Sequence, residues 1–314
     1  MKIIPFDEIK KLSITPKNCY EWVEEIIKSK HSMLLPAKIS LKPDISNVFY
    51  NTMPCILPDA GWAGVKLVTR YPQREPSLDS EILLYDLTTG ENLALLDGNW
   101  ITAMRTGAVA AHSIKLFAIS NFREIGFIGL GNTARATLNI LLAIEPERKL
   151  TIKLKKYKNQ HELFAKKYAD HENINFIYCD TFEEVVRNSD VIISSATVLE
   201  ANVCDDECYK EGVLVVPIHT RGFMNCDLFF DKIYADDTNH VKGFKYFEQY
   251  HYFAEVADVV AGKALGREND KERILAYNIG IALHDIYYAG KIYEMCREKC
   301  VDVSLNAPKD KFWI

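Results

Sequence analysis

The sequence predicts an α/β protein: a Rossmann-type, doubly wound parallel sheet, preceded by a smaller α+β domain that the C-terminal helix rejoins. Three observations carry this. The stretch Glu124–Thr137, EIGFIGLGNTARAT, reads as an apolar strand, a glycine turn and a helix. From there the pattern alternates between short apolar runs and helical segments, as a parallel sheet with crossovers requires. Before it, Ala37–Leu96 reads instead as short β-rich runs broken by Pro, Gly, Asp and Asn, the mark of antiparallel strands.

Composition sets the bounds. The chain has 314 residues, 48% hydrophobic and 26% charged, which allows one or two globular domains with ample core. A formal charge of −5 gives no electrostatic footprint for nucleic acid. No apolar run approaches the ~18 residues of a membrane span. The opening MKIIPFDEIKKL is interrupted by charges at once and lacks a signal-peptide core, so a cytoplasmic location is expected. The eight cysteines are too dilute for a disulfide scaffold, and Cys204/Cys208 and Cys296/Cys300 are not spaced as C-x-x-C. Reduced thiols and no metal site are expected.

Taken in order, Thr15-Pro16 forms an N-cap and N1 pair, and Trp22, Val23, Ile26 and Ile27 follow at helical spacing, predicting a helix over Pro16–Leu34. Strands are expected at Lys38–Leu41, Val48–Met53, Ala63–Thr69, Ile82–Leu87 and Leu93–Leu96, with a hairpin turn at Thr88-Thr89-Gly90. Ile101–Ile119 reads as a helix whose small residues (Ala103, Gly107, Ala108, Ala110, Ala111) permit close approach by a neighbour. Six parallel strands are expected at Ile125–Ile128, Leu150–Leu154, Ile174–Tyr178, Val191–Ser194, Val213–Pro217 and Lys232–Ala235, with a capping box at Thr181–Glu184. A long final helix is expected from Glu268 to about Lys299. The domains are drawn as 1–120 with 268–314, and 121–267.

Gly129, Gly131 and Ala134 give the spacing G-x-G-x-x-A. Gly129 turns the chain, Gly131 leaves room for a pyrophosphate, and Ala134 lets the helix pack on the strand. The amides at Asn132 and Thr133 then face the phosphates. The same spacing also occurs in ordinary tight β–α turns. Ser195, Ala196 and Thr197 follow a strand at the sheet's ligand edge, as a site loop or a plain connection. The second strand of this unit runs into Lys155-Lys156 with no acid, which suits a 2′-phosphate and favours NADP(H) over NAD. Lys66, in GVKLV, either points to solvent or serves as a fixed cation. Arg105, among small neutral residues, suits bidentate capture of a carboxylate or a salt bridge. His219 follows an apolar strand at the ligand edge, where it can hold a proton near neutral pH or sit as a satisfied loop histidine.

Together GVKLV, LLDGNWITAMRTGAVAA, GFIGLGNTARATL and AEVADVVAGKALGR resemble the ornithine cyclodeaminase/mu-crystallin family over nearly the whole chain. The resemblance implies an N-terminal substrate and dimerisation domain, an NAD(P)-binding Rossmann domain, a cleft between them, a homodimer, and a small amino acid or its keto or imino counterpart as substrate. It implies that Lys38, Lys66 and Arg105 hold the substrate carboxylate, that Ser77 stands where cyclodeaminases carry threonine, and that Thr106 lies near the nicotinamide. One departure is His219, which stands in PIHTRG where cyclodeaminases carry an aspartate. A histidine cannot pair with an ammonium as a carboxylate does, but it can protonate an imine nitrogen. The reading is therefore an NAD(P)H-dependent imine reductase or amino-acid (including opine-type) dehydrogenase. The alternatives are a redox-neutral cyclodeaminase and a non-enzymatic NADPH-binding protein.

Overall fold

The structure, a computed structural model, describes residues 1–196, 199, 201–218, 223, 226–304 and 311. The chain opens with β1 (Lys2–Ile4), α1 (Phe6–Lys11) and α2 (Pro16–Ile27). Five strands follow: β2 (Ile39–Leu41), β3 (Phe49–Leu57), β4 (Trp62–Arg70), β5 (Leu78–Asp86) and β6 (Asn92–Asp97). After α3 (Asn99–Phe117) come β7 (Glu124–Ile128), α4 (Asn132–Ile144), β8 (Leu150–Lys155), α5 (Gln160–Lys167), β9 (Ile174–Cys179) and α6 (Phe182–Val186). Then follow β10 (Val191–Ser194), β11 (Leu214–Pro217), β12 (Lys232–Ala235), α7 (Thr238–Val241), β13 (Phe253–Glu255) and α8 (Val256–Val260). The chain closes with β14 (Ile274–Tyr277), α9 (Ala282–Cys296) and β15 (Val301–Asp302).

Two compact units emerge. One comprises Met1–Ile14, Ser32–Thr102 and Ala282–Ile314; the other comprises Thr15–His31 and Ala103–Ile281. The sequence reading drew its line near Asn121, whereas packing groups α2 and most of α3 with the parallel sheet.

In the first unit a sheet runs in the order β15-β1-β6-β5-β4-β3-β2, and β2 through β6 pair antiparallel. The turn after β5 forms as expected: Asp86 accepts from the Thr88 and Thr89 amides, and Gly90 takes φ +71°. Helix α9 is buried along most of its length against this sheet. Two glycines allow that approach. A Cβ on Gly64 would meet Ile286 Cδ1 at 2.7 Å, and one on Gly290 would overlap the Trp62 ring.

In the second unit eight strands run β9-β8-β7-β10-β11-β14-β12-β13, every recorded pair parallel. All six expected strands are there, and β13 and β14 add two more. The order reverses between β7 and β10, which is where such sheets bind ligands. Helix α2 is capped by Thr15, whose side chain accepts from Asn18 N while Asn18 returns a bond to the Thr15 amide. It packs on α4.

The expected helix from Glu268 is corrected. Ile274–Tyr277 is a strand inserted between β11 and β12, and the helix starts only at Ala282. A four-residue apolar run fits either structure by periodicity, and here backbone pairing on both sides decides it.

Candidate active site

The glycine turn is built as a nucleotide site needs. Gly129 has φ +87°, and a Cβ there would lie 2.5 Å from Ala196 N and 2.7 Å from Ser195 C. Glycine is thus required both by the backbone and by the loop after β10. That loop is tied on by Ser195 N to Ile128 O at 2.8 Å and by Ser195 Oγ to Gly129 O at 3.1 Å. Gly131 is the N-cap of α4 with no side-chain cap, and nothing lies within 4 Å of where its Cβ would be. Space and uncapped amides at Asn132 and Thr133 coincide at a helix start, which fits a pyrophosphate. Ala134 is fully buried against the sheet. Gly129, Gly131, Asn132, Thr133, Ala134, Ser195 and Ala196 are therefore gathered at one edge; Thr197 lies outside the described residues.

Helix α3 delivers Arg105 and Thr106 to the same region. Its Gly107 sits so close to α4 that a Cβ would be 2.6 Å from Thr137 N and 2.7 Å from Ala136 C. Arg105 and Thr106 are each 6% exposed. Gly280, at φ +95°, leaves room for the guanidinium, since its Cβ would stand 2.8 Å from Arg105 Nη1.

At the end of β8, Lys155 Nζ donates to Lys156 O and lies over the Phe182 ring, while Lys156 pairs with Asp180 at 3.0 Å. Part of the charge of Lys156 is thus already answered. A separate cavity of about 420 Å³ includes Arg148 and Arg267 in its lining. Their guanidiniums are committed to backbone carbonyls of Ser120, Phe122, Phe117, Glu272 and Gly212, so it has little left with which to grip a ligand.

In the first unit Lys66 is fully buried, as is its partner: Nζ lies 2.8 Å from Oδ1 of Asp285 on α9. The side chain therefore does not point to solvent. The charge of Asp285 reaches Cys55, whose thiol is pushed up to about 12 by burial and by that carboxylate. Lys66 pairs in register with Met53 on β3 and Ile82 on β5. Lys38 immediately precedes β2, one position beyond the Ile39–Thr52 pair, and so falls in the row of Met53 and Lys66. Two strand spacings, roughly 10 Å, separate the two lysines. Ser77 precedes β5 and is about 16 Å along the strand from Ile82, so register does not bring it beside Lys66. His219 lies outside the described residues.

Sequence reasoning missed Asp285, Gly280 and Asp236. Asp285 had a signal: it is the lone acid between Ala282 and Gly290 in an apolar helix. Gly280 and Asp236 had none, because β14 was read as helix. Nearby, Asp227 is buried and accepts from Tyr277 at 2.7 Å and Tyr250 at 3.0 Å; burial raises its carboxyl while those bonds pull it down.

The chain is 27% identical over 274 residues to the nodulation efficiency protein NfeD of Rhizobium meliloti, covering 84% of each. It is 27% identical over 276 residues to a Delta(1)-pyrroline-2-carboxylate reductase of Bacillus cereus, covering 79% of this chain and 82% of the relative. The structure of the Thermococcus litoralis Delta(1)-pyrroline-2-carboxylate reductase in complex with NADH and L-proline is 25% identical, with a TM-score of 0.83, and the match covers 96% of this chain and all of that one. The ornithine cyclodeaminase/mu-crystallin family profile matches residues 6–300, and the chain belongs to that family.

Proposed function

We propose that the chain is an NAD(P)H-dependent reductase of a small 2-imino acid, with a cyclic imine such as Δ1-pyrroline-2-carboxylate as the first substrate to try. The carrying observation is that Lys66 and Arg105, two cations suited to a carboxylate, are each buried and held within their own unit. A buried cation is costly unless it is answered by an anion, and a bound carboxylate adds a second answer to each. Two of the relatives named above are Delta(1)-pyrroline-2-carboxylate reductases, one of them solved with NADH and L-proline.

When bound, the reduced nicotinamide supplies a hydride. The uncapped start of α4 and the space at Gly131 would hold its pyrophosphate, and Thr106 is the residue that the resemblance assigns to the nicotinamide. The family resemblance assigns the substrate carboxylate to Lys66, Arg105 and Lys38, and a carboxylate held by such cations loses orientational entropy before the transfer. The imine carbon gains the hydride and the nitrogen gains a proton. His219 is the donor of that proton. His219→Asn then loses turnover across pH about 6 to 9, and full turnover over that range removes the role. Lys155 and Lys156 favour NADPH. A kcat/KM ratio favouring NADH removes that preference.

The first unit also leaves apolar side chains exposed, among them Leu34, Ile39, Leu41, Ile45 and Leu78, with Leu41 62% exposed. Ile39 and Leu41 lie on β2, the edge of the sheet, and all three residues of that strand are exposed. Open apolar edges invite a partner. A second copy of this chain is the occupant, and Leu41→Asp shifts the mass in solution from dimer to monomer.

A further inference from the structure

We propose that Asp236 and Gly280 are positioning residues for Arg105, and that the backbone at Gly280 is the surface against which the guanidinium is set. This rests on the reading of Arg105 as the ligand of the substrate carboxylate.

The observations all lie in the second unit. The segment after β14 is pinned at three points. Asn278 N donates to Pro217 O at 2.9 Å, the Asn278 side chain meets Ser113 Oγ at 3.1 Å, and Gly280 N donates to Asp236 Oδ2. Asp236 directly follows β12 and is buried, so the third tether runs from one strand end to the next. Ser113 is on α3, the helix that carries Arg105. The guanidinium therefore faces a backbone fixed both to its own helix and to the sheet. It lies so close that a methyl group on Gly280 would be 2.8 Å from Nη1 and 3.2 Å from Nη2. Only glycine leaves that space, and φ +95° independently requires it.

An arginine is long, with many rotamers to lose on binding. A surface that blocks some rotamers before substrate arrives lowers what binding must spend on ordering, so the fork meets a carboxylate already aimed. Asp236 does not touch the substrate in this account. It holds the Gly280 amide, and the Gly280 backbone holds the fork.

The experiment uses the full chain, with Δ1-pyrroline-2-carboxylate as the probe and NADH binding followed separately by fluorescence. Arg105→Ala comes first: an unchanged KM refutes the carboxylate reading and leaves nothing to position. If KM rises, Gly280→Ala is expected to raise it by roughly tenfold while NADH affinity stays within about twofold. In the Arg105→Ala background Gly280→Ala is expected to add nothing, because its effect passes through that guanidinium. Asp236→Ala gives a second route should Gly280→Ala fail to fold, and Asp236→Asn, which keeps a carbonyl acceptor for the Gly280 amide, recovers most of the loss. Additive effects in the double variant, or an unchanged KM in both Gly280→Ala and Asp236→Ala, overturn the proposal.

Discussion

Removing Asp285 separates the structural from the functional duty of Lys66. The pair is 2.8 Å apart with both side chains fully buried. At an effective dielectric of about 20, the Coulomb attraction at that distance is roughly 6 kcal/mol. Desolvation of both ions offsets much of it, so the pair as a whole adds little net stability. Breaking it is another matter, because a buried ammonium loses its carboxylate at 2.8 Å. Asp285→Ala is expected to lower unfolding stability by about 3–5 kcal/mol, a large part of what a domain of this size possesses. Lys66→Met alone takes the ammonium from the buried carboxylate and is expected to cost a similar amount. The double variant Lys66→Met/Asp285→Leu replaces two ions by apolar groups of similar volume and is expected to recover most of that stability. It is not expected to recover turnover, since the cation that Lys66 offers the substrate is gone. The assays are urea unfolding followed by circular dichroism and steady-state reduction of a cyclic imino acid. A stable double variant that turns over as the natural chain does would refute the role of Lys66. Strict additivity of the two single losses would refute the pairing.

Other outcomes follow from the same geometry. Gly131→Ala meets open space at an ordinary φ, so unfolding stability is expected to stay within about 0.5 kcal/mol while NADH affinity falls, as titration of cofactor fluorescence will read. Gly129→Ala instead combines φ +87° with a backbone clash at 2.5 Å, and is expected to cost about 1–3 kcal/mol in unfolding stability as well as cofactor affinity. His112, buried on α3, is held down to about 4 from 6.5 by burial, with Lys28 adding to it. The folded imidazole stays neutral while the unfolded one takes up a proton. This stability is thus complete above pH 6.5 and is lost as pH falls towards 4. The slope is about 1.4 kcal/mol per pH unit in that window, and urea unfolding of His112→Gln should show it flattened.

Much of this was legible in the chain because local chemistry and global fold agree there. The capped start at Thr15-Pro16, the turn at Thr88–Gly90 and the six strands after Asn121 each carry a signal within a few residues. The small residues of α3 also foretold the tight crossing at Gly107. What stayed hidden depends on partners distant in sequence. Lys66 reads alike as a solvated or a buried lysine until Asp285, 219 positions later, is seen against it. The ILAY run of β14 becomes a strand only because β11 and β12 leave a gap between them. With β14 misread, neither the Gly280 turn nor its tether at Asp236 was visible. The domain line near Asn121 followed a change of periodicity, whereas compactness follows packing, and α2 packs on α4.

The measurement that tests the central claim most directly is the absorbance of reduced nicotinamide when purified protein is mixed with NADPH, then NADH, and Δ1-pyrroline-2-carboxylate. Ammonia release from ornithine with NAD is followed beside it. The account predicts stoichiometric oxidation of the cofactor with formation of the ring amino acid, and no ammonia. Ammonia released without net change in cofactor absorbance, or tight cofactor binding with no oxidation by this or any other small 2-imino acid, would contradict it.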